Sequence, residues 1–153
     1  MSNSSNELLP LNEHLCFLFY ATSRAIQRGY HQTLAEQGLT YPQYLVLVIL
    51  YEHRQLTIKE IGTYLALDSG TVTPLIKRMT TAGLLRKQRD KDDERIVYVA
   101  ITPQGQEKRI AMQTLPDVLL DHSQLSSTEW QQLSQLTNKL WHNLQQADSE
   151  HKN

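Results

Sequence analysis

Apolar residues recur along this chain mostly at the three- and four-residue spacing of amphipathic helices. They form a strand-like alternating run only at residues 96–101, which predicts the returning strand of a β-hairpin. The helix that starts at Pro103 is expected to bend or break near Pro116, because proline lacks a backbone donor. The pattern therefore predicts a mainly α fold with a small β-hairpin (α+β). Helices are expected over about residues 12–36, 41–53, 58–65, 69–82, 103 onward and 127–146.

The predicted helix starts carry capping signals. In three of them a Thr or Ser stands three residues before a Gln or Glu, which is the spacing of a capping box. A fourth start, Thr102 followed by Pro103, combines a capping hydroxyl with proline at the first helical position. The capping-box pairs are Thr40 with Gln43, Thr57 with Glu60, and Ser126 with Glu129.

Residues 56–105 contain, in order, a helix, a turn at 68–71, a second helix and a hairpin with a charged tip at 90–95. That order is typical of a winged helix-turn-helix, which binds duplex DNA. The sequence thus favours a transcription regulator. Within one domain spanning residues 1–153, we expect a winged helix-turn-helix at 41–102 and dimerisation helices at 7–38 and 103–147.

The charge distribution agrees with a DNA-facing centre, although the formal net charge is only −1. Between Arg54 and Arg109 there are eleven Lys or Arg against seven Asp or Glu, a balance of +4. The rest of the chain has four basic and nine acidic residues, a balance of −5. This asymmetry indicates a nucleic-acid-binding module rather than a chain that coats DNA by bulk charge.

The second helix of the motif is expected to enter the major groove. Short hydroxyls near its start can approach bases or phosphates, and threonine methyls can contact thymine methyls. Pro74 is tolerable only near a helix start, which places the start close to Ser69–Thr71 or predicts a kink. The expected DNA contacts are Ser69, Thr71 and Thr73 at the start and Lys77 and Arg78 on phosphates. The expected packing face is Leu75, Ile76 and Met79.

The hairpin supplies the remaining expected DNA contacts. Arg86, Lys87 and Arg89 provide charge for phosphates, and Arg95 is a candidate for a narrow minor groove. Asp93, two residues before Arg95, could pair with it and fix its direction. Such a charged run can also be a solvated turn, but its place after a helix-turn-helix favours a wing.

The first helix is apolar almost all round over residues 15–21, unlike a surface helix of a monomer. We therefore expect protein on several sides of it, including a second subunit. A two-fold homodimer would hold two DNA modules at the spacing of palindromic half-sites. The last helix adds a second apolar stripe. Its members are Trp130, Leu133, Leu136, Leu140, Trp141 and Leu144.

A single cysteine, Cys16, excludes an intrachain disulfide or a multi-cysteine zinc site and fits a reducing cytoplasm. Residues 1–6 are expected to form a short disordered arm rather than a secretory signal, and no apolar stretch is long enough to span a membrane. Neither a cofactor nor a metal is expected.

Two interpretations fit Cys16. A lone cysteine packed in an apolar run is commonly an inert small hydrophobe. Tyr20, however, lies one turn after Cys16 on the same face. Tyr30 lies close to that face but about 21 Å further along the axis, so only a two-fold partner could present it to the thiol. Tyrosine donors would stabilise a thiolate and make Cys16 oxidisable.

Four motifs resemble the MarR family, specifically its branch of single-cysteine organic-hydroperoxide sensors. They are residues 15–20, 39–44, 67–74 and 93–95, within a resemblance covering about residues 8–144. Asp93 and Arg95 match the family at large, whereas Cys16 with Tyr20, Tyr30 and Tyr41 matches the peroxide-sensing branch.

The resemblance implies a mechanism. A reduced dimer binds a palindromic operator on double-stranded DNA, and an organic hydroperoxide oxidises Cys16 to a sulfenic acid. The product forms a mixed disulfide with a small thiol or is oxidised further. The modified sulfur loses its contacts with Tyr20 and with Tyr30 of the partner subunit, and repression of a detoxifying peroxidase gene is lifted. Members with a second, resolving cysteine form an intersubunit disulfide, which this chain cannot do.

Three alternatives stay open at this point. A MarR-like dimer could release DNA on binding a phenolic small molecule, with Tyr41, Tyr44 and Tyr51 as the wall of its site. A broader stress or virulence regulator of the same branch could act on many operators. A cysteine peroxidase is disfavoured, because position 13 is Glu and Cys16 has neither a resolving cysteine nor a nearby arginine. We therefore expect a regulator and not an enzyme.

Overall fold

The computed structural model describes residues 8–150, so the arm expected over residues 1–6 lies outside the described part. A short 3-10 helix, Leu11–Glu13, precedes the first α-helix. The α-helices are α1 Leu15–Glu36, α2 Tyr41–His53, α3 Ile58–Leu65, α4 Ser69–Thr81, α5 Pro103–Ala111, α6 Leu115–Ser123 and α7 Ser127–Glu150. The strands are β1 Gln55–Thr57, β2 Leu85–Arg89 and β3 Val97–Ile101.

The sheet is antiparallel with the order β1-β3-β2, so the expected hairpin has a third strand at its edge. Leu56 of β1 pairs with Val99, and Arg89 of β2 pairs with Val97. The sequence reading missed β1, because it assigned Leu56 to the opening of the following helix. A three-residue strand has no periodicity of its own, and its pairing with β3 spans more than forty residues of sequence.

The core of the DNA module lies between α2, α3, α4 and the sheet. The α2 helix is apolar all round because it is the central element, and Val46, Leu47 and Leu50 are fully buried. The packing face expected on α4 is confirmed, since Leu75, Ile76 and Met79 are all buried. The other fully buried large side chains are Ile61, Val72, Val99 and Met112.

The capping boxes hold as expected. The Thr57 N–H donates to Glu60 Oε2 at 2.7 Å, and the Glu60 N–H donates to Thr57 Oγ1 at 3.2 Å. The Glu60 pKa is lowered by these bonds from Thr57. The Ser126 N–H likewise donates to the Glu129 carboxylate at 2.8 Å. Local side-chain chemistry therefore sets the starts of α3 and α7.

The start of α1 differs from the expectation, since the helix begins at Leu15 rather than near residue 12, after the 3-10 turn. The expected break near Pro116 is confirmed, because the helix from Pro103 ends at Ala111 and Pro116 stands in the first turn of α6. Proline is favoured there because its missing N–H is not needed. The α4 helix begins at Ser69, so the start expected close to Ser69–Thr71 is confirmed, and Pro74 stands inside the helix, which continues to Thr81.

One glycine is required for α5 to reach the sheet. A Cβ on Gly105 would overlap the backbone carbonyl of Leu84 and come within 2.8 Å of the Ile101 side chain. The Thr102 hydroxyl donates to the Gly83 carbonyl at 2.6 Å and accepts from the Gly105 N–H at 3.2 Å. The start of α5 is thus fixed against the end of α4 and the beginning of β2.

The chain divides into two compact units between Gln113 and Thr114. The first contains α1 to α5 and the sheet, and the second contains α6 and α7. In the second unit Leu133, Leu136 and Leu144 of α7 are exposed. Among the described residues no helix has the length and apolar character needed to cross a bilayer.

Candidate nucleic-acid interface and thiol site

The start of α4 presents the short side chains expected to meet DNA. Asp68 caps the helix by accepting from the Thr71 N–H at 2.9 Å. The Thr71 hydroxyl donates to the same carboxylate at 3.1 Å, so its remaining capacity is as an acceptor. Ser69 and Thr73 are exposed on the same turns. The capping carboxylate therefore orients part of the surface that the sequence assigned to the major groove.

Basic side chains extend this surface. Lys77 and Arg78 are exposed on α4, on the side opposite the buried Ile76 and Met79. On β2, Arg86 and Lys87 are exposed as well. Successive residues of a strand point to opposite faces, so Arg86 and Lys87 project to different sides of the sheet.

Two carboxylates and two guanidinium groups hold the wing tip in shape. Arg95 donates to both carboxylate oxygens of Asp93, at 2.9 and 2.8 Å, which confirms the expected pairing. The Asp93 pKa is lowered by these bonds. Asp90 accepts from the backbone N–H groups of residues 92 and 93 at 2.9 and 3.0 Å. Arg89, expected on a phosphate, donates to the Glu94 carbonyl at 3.2 Å and therefore also closes the tip.

The Asp93 pairing gives Arg95 a fixed direction while leaving it available. Its side chain is 90% exposed, whereas that of Asp93 is 35% exposed. A bidentate pair of this kind limits the rotamers of a long side chain before any ligand arrives. The sequence reading missed Asp90 as the residue that organises the turn, although an Asx turn is a common role for Asp at such a position.

Cys16 lies in the first turn of α1 and is exposed within the chain. Its surroundings are apolar and also exposed, with Leu15 at 59% and Leu18 at 44% of their full areas. Tyr20, one turn further on, is 60% exposed, and the Arg24 guanidinium lies 5.6 Å from its ring centroid. One chain does not supply the packed thiol pocket that the sequence led us to expect.

The other two expected sensor residues come together away from Cys16. Tyr30 is only 6% exposed, and its ring centroid lies 6.0 Å from that of Tyr41. Tyr41 in turn lies 6.1 Å from Tyr44. Burial, with smaller contributions from Tyr41 and Tyr44, raises the pKa of Tyr30 to about 12. Its phenol is therefore protonated and able to donate a hydrogen bond throughout the neutral range.

Two residues of α5 that were not predicted connect this helix to α2 and to the end of α1. The Arg109 guanidinium lies 5.9 Å from the ring centroids of both Tyr44 and Tyr51, and its buried Nε has no hydrogen-bond partner in the described structure. Lys108 donates through Nζ to the carbonyl of Gln37 at the end of α1. These contacts depend on the packing of α5 against α1 and α2, which no local pattern encodes.

The tyrosines named for a phenolic site do not share one environment. Tyr41 lines a cavity of about 550 Å³ between α1 and the start of α2. Tyr51 lines another, of about 440 Å³, together with Arg54 and Arg86. Tyr44 is buried between Tyr41 and Arg109.

A capped recognition helix followed by a β-hairpin wing with an oriented arginine defines a winged helix DNA-binding regulator. Comparison with known proteins places the chain more closely. Residues 28–112 match the model of the family described as transcriptional regulator SarA/Rot. The chain belongs to this family, has the MarR-type fold that the motifs predicted, and is a transcription regulator rather than an enzyme.

Individual relatives extend the match beyond that region. The organic hydroperoxide resistance transcriptional regulator of Bacillus subtilis is 39% identical over 140 residues, 92% of this chain and 95% of that protein. The HTH-type transcriptional regulator MgrA of Staphylococcus aureus is 37% identical over 133 residues, 86% of this chain and 90% of that one. A structure of reduced AbfR bound to DNA superposes with a TM-score of 0.73 at 32% identity, covering 89% and 93% of the two chains.

These matches differ in whether they include Cys16. The family model begins at residue 28 and so does not reach Cys16. The Bacillus match covers 140 of 153 residues, which leaves too few unmatched residues for position 16 to lie outside it. The similarity to a hydroperoxide resistance regulator therefore includes the amino-terminal half of α1.

Proposed function

We propose that this chain is a repressor that senses organic hydroperoxides through Cys16 and then releases its operator. The observation that carries the proposal is the exposed thiol at the start of α1, one turn before Tyr20, in a chain 39% identical to an organic hydroperoxide resistance regulator. A thiolate at an accessible position is the form that attacks a peroxide.

The proposed DNA contacts follow the exposed surface of residues 41–102. The hydroxyl groups at the start of α4 meet the major groove, the basic residues of α4 and β2 meet phosphates, and Arg95 enters the minor groove. The contacting residues are Ser69, Thr71, Thr73, Lys77, Arg78, Arg86, Lys87, Arg89 and Arg95, with Asp93 orienting the last. Arg89 serves this surface partly through its bond to the wing tip.

The regulator acts as a homodimer in the cytoplasm. Residues 7–38 and 103–147 supply the dimer contacts, and a two-fold arrangement matches a palindromic operator. The exposed apolar residues of α1 and α7 support this assignment. A second subunit would also bring Tyr30 to Cys16, which the length of α1 prevents within one chain.

The signal chemistry uses one cysteine. The Cys16 thiolate attacks the terminal oxygen of the hydroperoxide, an S–O bond forms and the O–O bond breaks. The sulfur becomes a sulfenic acid, and the departing alkoxide takes a proton from water to become an alcohol. A small cellular thiol then displaces water and leaves a mixed disulfide, which adds bulk at the dimer helices. Overpacking of this kind costs on the order of 1–3 kcal/mol.

The decisive experiment compares DNA binding by wild type and Cys16→Ser. Reduced protein is titrated onto the promoter next to its own gene, before and after stoichiometric cumene hydroperoxide with glutathione present. Release by wild type alone supports the proposal. Release by both proteins, or by neither, contradicts a role for Cys16 and directs attention to a bound phenolic ligand near Tyr41.

A further inference from the structure

An arginine of α5 lies between two tyrosine rings of α2. Tyr44 and Tyr51 are seven residues apart, so they share one face of α2 at a separation of two helical turns. The Arg109 guanidinium lies 5.9 Å from each of their ring centroids, within the range of a cation–π contact. Tyr44 is buried, whereas Tyr51 is half exposed. Arg109 therefore bridges a core tyrosine and a surface tyrosine of the same helix.

The contacts of Arg109 within the described part of the chain are made with these rings. It forms no ion pair among the described residues, and its buried Nε has no hydrogen-bond partner there. Burial raises the pKa of Tyr44, and the charge of Arg109 opposes that shift. A planar guanidinium stacks on aromatic rings better than an ammonium group does. Arg109 is thus suited to hold Tyr44 in place rather than to pair with a carboxylate.

Ring contacts continue from Tyr44 to the two sensor tyrosines, Tyr30 and Tyr41. The ring centroid of Tyr44 lies 6.1 Å from that of Tyr41, which lies 6.0 Å from that of Tyr30. Tyr30 and Tyr44 are both buried. In a close-packed interior the displacement of one ring is passed to its neighbours. A shift of Tyr44 would therefore move the hydroxyls of both sensor tyrosines.

The backbone of Arg109 is held by the rest of α5. The helix starts against the sheet, where the Thr102 hydroxyl donates to the Gly83 carbonyl and Gly105 permits a close approach. Lys108, the preceding residue, donates to the Gln37 carbonyl at the end of α1. The guanidinium of Arg109 is therefore extended from a fixed point towards the tyrosines of α2.

We infer that Arg109 is a positioning residue of the thiol sensor. By holding Tyr44 it fixes Tyr30 and Tyr41, and so the hydroxyls that they present to Cys16 of the partner subunit. This inference rests on the proposed function, in which those hydroxyls stabilise the thiolate. Arg109 touches neither the thiol nor the hydroperoxide and acts on the thiol of the other subunit.

The test follows the rate of Cys16 oxidation by cumene hydroperoxide as a function of pH, because the thiolate is the reacting form. Arg109→Met keeps the length of the side chain without the guanidinium. On the rising limb of the profile its rate should be about threefold lower, and the midpoint should move up by about half a pH unit. The limiting rate at high pH should be unchanged. Arg109→Lys, which keeps the charge but not the planar group, should lie between the two.

Lys108→Met is the matched control. It removes one positive charge from the adjacent position of α5 and a contact with the end of α1, but Lys108 takes part in none of the ring contacts described above. Its midpoint should equal that of wild type. Loss of thermal stability alone would lower the melting temperature without moving the midpoint. An equal shift in Lys108→Met and Arg109→Met, or no shift in either, would overturn the inference.

Mixed dimers test whether Arg109 acts across the interface. In each dimer one subunit carries Cys16→Ser, so a single thiol reacts. Arg109→Met placed in the subunit without the thiol should slow oxidation about threefold relative to a dimer with Cys16→Ser alone, by the same loss of thiolate. The same substitution placed in the subunit that keeps the thiol should have no effect. Equal rates in the two arrangements, or the reverse order, would contradict the inference.

The two proposals can be distinguished when they fail. If cumene hydroperoxide oxidises Cys16 and releases DNA with the same pH midpoint in wild type and Arg109→Met, the sensor stands and the positioning role does not. If Cys16→Ser releases DNA like wild type, the sensor itself is wrong, and the role of Arg109 in it is wrong as well.

Discussion

Within a single chain the DNA module has capped helices and a buried core, whereas the amino-terminal half of α1 leaves large apolar side chains exposed. In the module, residues 41–102, the helix starts are capped, the wing tip closes on itself and Ile61 and Ile76 are fully buried. In α1, Leu15, Leu18 and Phe19 are between 38% and 59% exposed. Large apolar side chains clustered on one exposed segment are typical of a protein interaction surface.

Binding DNA and sensing an oxidant therefore have different structural requirements. A DNA-binding surface needs side chains that are held rigidly on a packed core, and one chain provides such a core. The thiol needs a neighbour that can change its contacts, and the exposed start of α1 leaves room for one. The following predictions test the contrast, in order of decreasing expected effect.

The largest effect is expected where the module is complete. Ile76→Ala should lower the free energy of unfolding by about 2–5 kcal/mol, because it empties space at a fully buried position. Urea denaturation followed by circular dichroism measures it. Ile96→Ala, at a position 37% exposed in the wing, serves as the control and should cost well under half as much. Equal losses of unfolding free energy in the two variants would show that Ile76 is not part of the core.

The next effect concerns the exposed half of α1. Leu18→Asp should weaken self-association by on the order of 2 kcal/mol, about thirtyfold, because it places a charge in the proposed dimer surface. Sedimentation equilibrium measures the dimer constant. The helical signal of the module should persist. Thr63→Asp, at an exposed position on α3 outside the proposed dimer segments, should leave the constant unchanged. An unaltered dimer in Leu18→Asp would remove this segment from the interface.

The third effect belongs to the wing. Arg95→Ala should weaken operator binding about tenfold, or about 1.4 kcal/mol, without changing the dimer. Asp93→Asn keeps the guanidinium but weakens the pair that aims it, so a smaller loss is expected. Fluorescence anisotropy at several salt concentrations measures both. Identical affinities for wild type and Arg95→Ala at every concentration would exclude a DNA contact.

The smallest effect links the two regions through Tyr30. Tyr30→Phe should slow Cys16 oxidation about fivefold, because one hydrogen bond to the thiolate contributes about 1 kcal/mol. Stopped-flow measurement of thiol loss tests this, with the exposed Tyr64→Phe as control. An unchanged rate would show that Tyr30 has no role in the sensor.

The same variant has a signature at high pH. The pKa of Tyr30 is raised to about 12 in the folded protein, so its contribution to stability is complete below pH 10 and is lost as the pH rises from 10 to 12. Wild type should lose more stability than Tyr30→Phe over this interval. Parallel losses would show that Tyr30 is not buried as described.

How much the sequence predicted depends on whether the signal was local. The α2 and α3 helices followed from hydrophobic spacing and from the capping boxes, which act within a few residues. Asp68 was not predicted as the cap of α4, although its bond to Thr71 is equally local. The Asp93–Arg95 pair could be predicted for the same reason. Their DNA role stays a prediction.

The remainder depended on contacts distant in sequence or absent from one chain. Strand β1 exists because it pairs with β3, and Lys108 reaches Gln37 across 71 residues. Arg109 lies between Tyr44 and Tyr51 only after α5 has packed on α2. The surroundings of Cys16 were not predictable from its own helix, because the thiol and the apolar side chains of Leu15 and Leu18 are exposed within one chain.

The closed wing tip has a consequence for how such regulators diversify. Asp90 accepts two backbone donors, and Arg89 donates to the carbonyl of Glu94, so the tip satisfies much of its own polar backbone without using the core. The energetic cost of changing its length or charge therefore falls on the tip itself and not on the core. Substitutions in this loop can therefore accumulate over evolutionary time while the hydrophobic interior, and the folding it directs, stay the same.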